Sequence, residues 1–258
     1  MSRPLRIAMA AAFLAGVLVA PAAAQRGPLP EGMVARVGET PVSEREFRHW
    51  LRISTRGQSV PLDPPGFERC MAAERQTPSE IERPSTTGEL RRRCRGRHEA
   101  LRDSTMLFLL HREWTRQEAE ARGLSVSPQR VRRAFERQRR ASFQTEREFR
   151  DFLRLSGMTE ADLLQRVEFD MLQQRLFRAA TADVPEVTRQ DVERYYARHR
   201  RQFRGQAPAR ARRTIRVQLQ ATREQRALAR FLAEFRSGYR AITVCETGYV
   251  IPECSNGR

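Results

Sequence analysis

The sequence predicts a mainly α-helical fold with a small β element. Apolar residues recur at i, i+3 and i+4 through most of the chain, and each such stripe needs a partner to bury it. Ser or Thr stands at the head of several stripes, and Gly123 and Gly157 close two of them, as helix capping requires. Only the stretch from Val34 to Val42 and parts of the tail read as strands.

The chain opens with Arg3 and Arg6, an apolar run from Ile7 to Ala20, and Ala22, Ala23 and Ala24 before Gln25. This is the pattern of a secretory signal peptide over residues 1–24. The run is short for a bilayer and no Cys follows Ala24 to carry a lipid, so no transmembrane segment is expected after cleavage. The mature chain is expected to be extracytoplasmic, periplasmic or secreted. All 48 basic residues are Arg, and losing Arg3 and Arg6 takes the formal net charge from +17 to +15. Such a surplus attracts anionic surfaces.

From Met33 to Ser54 each step has a mechanism. Val34 and Val37 belong to a short β segment, Gly38 supplies a turn, and Pro41-Val42 returns as an edge strand that can spare one N–H. Ser43 and Glu46 have the spacing of a reciprocal capping box. Phe47, Trp50 and Leu51 then form one apolar stripe.

Between Gly57 and Gly96 the composition shifts to Pro and Gly, which predicts an irregular Cys/Pro-rich insertion over residues 57–97. Four cysteines allow three pairings. The expected one is Cys70 with Cys94 and Cys245 with Cys254, because each closes a short loop and the second sits in an expected hairpin from Thr243 to Cys254, turning at Gly248. A metal site is not expected: Cys-x-x-Cys is absent, and His98 and His111 are not placed like a Cys2His2 set.

Helical signals dominate the rest. Glu99 to about Arg122 is expected to form a helix, apolar all round at Met106 to Leu110 and so buried all round. Ser127-Pro128 begins another, with Val131 and Phe135 inward. Thr145 and Glu148 make a capping box for the stripe Phe149, Phe152 and Leu153. Thr159 caps a helix carrying Leu163, Leu164, Val167, Met171, Leu172 and Leu176, and Thr188 caps one carrying Tyr195 and Tyr196, with Phe203 beyond it. Arg204 to Arg213 reads as a basic linker, Thr214 to Leu219 alternates like a strand, and Thr222 is placed to cap a helix through about Ser237.

Two of these stretches resemble a known family, the SurA/PrsA-like extracytoplasmic chaperones. Val34, Ala35, Val37, Gly38, Pro41, Val42, Ser43, Glu46 and Phe47 match its N-terminal pattern. Val187, Thr188, Asp191, Val192, Tyr195, Tyr196 and Phe203 match a second pattern, in order. The resemblance implies a helical chaperone module over residues 25–204. It also implies that the tail, residues 205–258, returns to pack on that module and complete the small sheet begun at Val34. The family often inserts a parvulin-type prolyl isomerase domain after the second pattern, which needs on the order of a hundred residues. Gly205 to Arg258 is too short for it and lacks His. The chain therefore looks like the chaperone module without its isomerase, and no enzymatic activity and no cofactor are expected.

No Ser/His/Asp or Cys/His spacing recommends a triad, and His49, His98, His111 and His199 read as ordinary surface or core residues. No Gly-rich phosphate loop is present. Trp50, Phe108, Trp114, Phe135, Phe143, Phe149 and Phe152 are first of all core, with roughly a third of them expected at a client-binding surface. Arg130, Arg133, Arg137 and Arg140 line one helical face as anionic-contact candidates. The expected function is ATP-independent holding of unfolded or newly exported polypeptides. The alternatives are an isomerase-family protein with residual activity and an Arg-rich binder of anionic cell-surface polymer or nucleic acid. Export argues against nucleic acid as the partner.

Overall fold

The computed structural model describes residues 29–58 and 60–257, so residues 1–24, expected to be a signal peptide, lie outside the described residues. Strands β1 (Met33–Val37) and β2 (Thr40–Ser43) pair antiparallel around Gly38, which takes φ +56°. Pro41 sits on the edge strand opposite Arg36, where no outer partner needs its missing N–H. Strand β3 (Thr243–Cys245) returns from the tail to the other side of β1, giving the order β2-β1-β3 with Ala35 opposite Cys245. The fold is mainly helical, with one three-stranded antiparallel sheet built from N- and C-terminal segments.

Helix α1 (Glu44–Arg56) begins as expected, with the Ser43 hydroxyl accepting from the Glu46 N–H. The reciprocal half of the box gives way: the Glu46 carboxylate pairs with Arg112 of the next long helix instead. Phe47 and Trp50 are buried and Leu51 half-buried.

The insertion is not irregular. It holds α2 (Glu68–Glu74), α3 (Pro78–Glu82) and the first turns of α4 (Thr87–Ala121). Helix α4 starts twelve residues before Glu99, at a full capping box of Thr86 and Glu89. That spacing is legible in the sequence, but Pro84 and Gly88 disguise it as a loop. Cys94 on α4 is bonded to Cys70 on α2. Glu74 and Glu80, both buried, converge on Arg93 of α4, with Nη1 contacts of 3.2 and 2.6 Å. Buried carboxylates are tolerable only when paired and hydrogen-bonded in this way.

Helix α4 is the spine, about 50 Å long at 1.5 Å per residue. Met106, Leu109, Leu110 and Trp114 are wholly buried against the sheet and α1, whereas Leu107 and Phe108 stay half-buried, so its middle is not enclosed on every side. Three helices follow with the expected starts: α5 (Pro128–Ser142), α6 (Glu146–Ser156) and α7 (Glu160–Ala182). Capping boxes at Thr145 with Glu148 and Thr159 with Asp162 open α6 and α7, and Gly157 closes α6 at φ +71°. A further box, Thr188 with Asp191, opens α8 (Arg189–Arg198), and one 3-10 turn (Arg200–Phe203) follows.

The tail departs from expectation. Thr214 to Leu219 is not a strand but part of one helix, α9 (Pro208–Ala241). Ala211 and Ile215 are wholly buried, Ile215 against Val187 and Val192, and Leu219 is half-buried beyond them, which is the i, i+4, i+8 row of a helix. Val217 is 65% exposed. The alternation was real, but no sheet lies alongside to receive it, and packing overrides β-propensity. Thr222 therefore caps nothing; its hydroxyl donates back to the Gln218 carbonyl at 2.8 Å. Cys245 and Cys254 are bonded, yet they close an irregular loop and not a hairpin, because β3 takes β1 as its partner.

Candidate functional site

Helices α5, α6 and α7 pack around Val131, Phe135, Phe149 and Val167, and leave a cleft of about 340 Å³ between them. Phe135 and Phe149 form its buried floor, edge to face with centroids 6.1 Å apart. Phe143, in the extended link between α5 and α6, stands 5.4 Å from Phe149 and 5.2 Å from Phe152. Phe143 and Phe152 are half-buried, so each presents ring surface to an entering group. Leu163 and Val167 supply the α7 wall.

The rim is charged. The Arg139 guanidinium lies 5.3 Å over the Phe149 ring, held at 3.1 Å by Glu136 and at 2.8 Å by Glu146. Its Nε–H is buried without an acceptor among the described residues. Arg166 stands over Phe108 at 5.6 Å, and Asp170 is exposed with no ion-pair partner among the described residues. An apolar floor with donors and an acceptor at its edge suits a segment that has both a hydrophobic side chain and a peptide backbone.

The α7 wall is anchored to the N-terminal module through His49, whose Nε2 is 2.8 Å from Asp162 Oδ1. Burial opposes charge on Asp162, but hydrogen bonds from the Thr159 N–H and hydroxyl and from His49 outweigh it and hold the carboxyl below its ordinary range. Asp162 thereby caps α7 and fixes it to α1 with the same carboxylate.

Of the seven aromatic candidates, the fold brings together four: Phe135, Phe143, Phe149 and Phe152. Trp50 and Trp114 are excluded from any surface role by burial, at 4% and 0% exposure. Trp50 packs on Phe108 at 4.8 Å; Trp114 donates its indole N–H to the Thr243 hydroxyl at 2.9 Å. Phe108 is half-buried beside Phe169, outside the cleft. Sequence reasoning missed Arg139, Arg166, Leu163 and Val167 as site residues. Arg139 was within reach of it, since it lies four residues after Phe135 and so on the same face of α5.

Arg130, Arg133, Arg137 and Arg140 are all exposed, and none has an ion-pair partner among the described residues. No group of metal-ligating side chains occurs among the described residues, and no described helix is long and apolar enough to cross a membrane. No family model, curated protein or solved structure matches the chain.

Proposed function

We propose that this chain is an extracytoplasmic, ATP-independent chaperone, SurA/PrsA-like, that holds unfolded or newly exported polypeptides. The observation that carries the reading is the phenylalanine-floored cleft with Arg139, Arg166 and Asp170 at its rim. An unfolded client exposes apolar side chains on a backbone rich in donors and acceptors. The cleft offers ring surface to the former and both charge signs to the latter. Two half-buried rings make modest contact area, and ordering a flexible client costs free energy, so binding is weak and broad, as a holder requires.

The test is to dilute a denatured model protein with and without this one and follow light scattering at low and high salt. Suppression of aggregation should survive high salt. The double variant Phe143→Gln/Phe152→Gln, with its helical circular dichroism unchanged, should hold clients about tenfold more weakly, from the apolar contact removed. No suppression, or suppression abolished by salt, would overturn the proposal.

A further inference from the structure

Helix α5 has two working faces. Val131 and Phe135 face the cleft cluster, while Arg130, Arg133, Arg137 and Arg140 fall within an arc of about 80° on the opposite side, at 100° per residue. The four span about 15 Å along the axis at 1.5 Å per residue. All are exposed.

The carboxylates nearby are committed elsewhere. Glu136, which shares a groove with Arg133, Arg137 and Arg140, is 3.1 Å from Arg139; Glu146 is 2.8 Å from Arg139; Glu160 takes Arg132 at 2.9 Å. The arrangement leaves a straight row of guanidinium groups with no internal counter-charge, on a helix fixed by its packing on α7.

We propose that this row docks the protein on an anionic phospholipid bilayer, with the aromatic cleft on the opposite side of α5 left open. The complementarity is one of charge and form. Each guanidinium presents a planar fork that matches two oxygens of a phosphate diester. A bilayer supplies many such groups in a plane, and lateral diffusion lets them gather under a row of any spacing. The row carries no apolar residue to insert, so attachment is electrostatic, reversible and screened by salt.

The experiment is co-sedimentation of the purified protein with phosphatidylcholine vesicles, with and without phosphatidylglycerol. Binding is expected only with the anionic lipid and is lost at high salt. Each arginine removed should cost about fivefold in partitioning, so Arg130→Gln/Arg133→Gln/Arg137→Gln/Arg140→Gln should lose it altogether. The control variant changes Arg210, Arg213, Arg216 and Arg226 to Gln, four exposed arginines of α9 with no ion-pair partner among the described residues, and removes the same net charge. It should lose far less. Equal losses in the two variants would mean that net charge alone drives binding and would overturn the assignment. So would binding of polyglutamate in preference to the vesicles, which would make the row a site for acidic polypeptide. Client holding by the quadruple variant of the α5 row should be unchanged, so this proposal and the holding function fail separately.

Discussion

Thr243 joins three elements through one hydroxyl. It accepts the Trp114 indole N–H of α4 at 2.9 Å and donates to the Tyr239 carbonyl of α9 at 2.7 Å, from within β3. Thr243 and Trp114 are wholly buried, so Thr243→Val would leave the indole N–H without a partner. The substitution should cost about 1–3 kcal/mol in chemical denaturation, whereas Val244→Thr, next to it and half-buried, should be close to neutral. Glu80 is the second such residue. Arg93, with the Ser85 N–H and hydroxyl, holds its carboxyl down to about 2. A carboxyl depressed by folding contributes stability that is complete above its ordinary value of 4.5 and is lost as pH falls through the folded value. Amide protection in α2 and α3 should therefore be level above about pH 5 and decline progressively from there toward pH 2. In Glu80→Gln that part of the decline should be missing; an unchanged profile would place the acid sensitivity elsewhere.

Capping decides where the elements begin, and the caps were mostly readable. The boxes at Thr145, Thr159 and Thr188 open their helices where the spacing put them. Thr86 was equally readable as Thr-x-x-Glu, but its neighbours Pro84 and Gly88 carried the reading toward a loop. The Thr214–Leu219 stretch failed for a different reason. Three β-branched or aliphatic residues at period 2 have the same local pattern in a strand and in a helix that buries only two of them. The two readings differ in what substitution does. In α9, Ile215→Ala should cost about 2–4 kcal/mol and Val217→Ala should be neutral or slightly stabilising, since Ala is the better helix former at an exposed site. A strand buried on one face would penalise all three of Ile215, Val217 and Leu219 together, and denaturation midpoints of the single variants tell the cases apart.

Across the whole molecule, the apolar clusters lie in series along α4, α7 and α9 and do not merge into one core. The sheet cluster around Trp114 joins β1 and β2 to the segment around β3. The α5–α7 cluster has its own cleft, joins the α4–α9 cluster through Leu172, and is tied to α1 by the His49 to Asp162 contact. This division separates the groups that hold the fold, Trp50 and Trp114, from those that the cleft leaves half-buried, Phe143 and Phe152. The holding function proposed above involves no catalysis. The protein should not accelerate proline isomerisation in a tetrapeptide above a heat-inactivated control, and measured acceleration would require a site built from residues assigned here to packing.

The sequence by itself determined the local features: the turn at Gly38, the edge position of Pro41, most helix starts, both disulfide pairs and the exposed arginine row of α5. These depend on chemistry within a few residues, or on short loop closure, and so survive without knowledge of the partners. Tertiary structure decided which aromatic residues became core and which became site. Trp114 and Phe152 both lie on helical stripes, and periodicity gives each a face but not a neighbour. Only the packing of α4 on the sheet, and of α6 beside α5 and α7, buries the first and leaves the second at the edge of a cleft. The tertiary structure also made α9 continuous, because a strand needs a partner to satisfy its backbone while a helix satisfies its own.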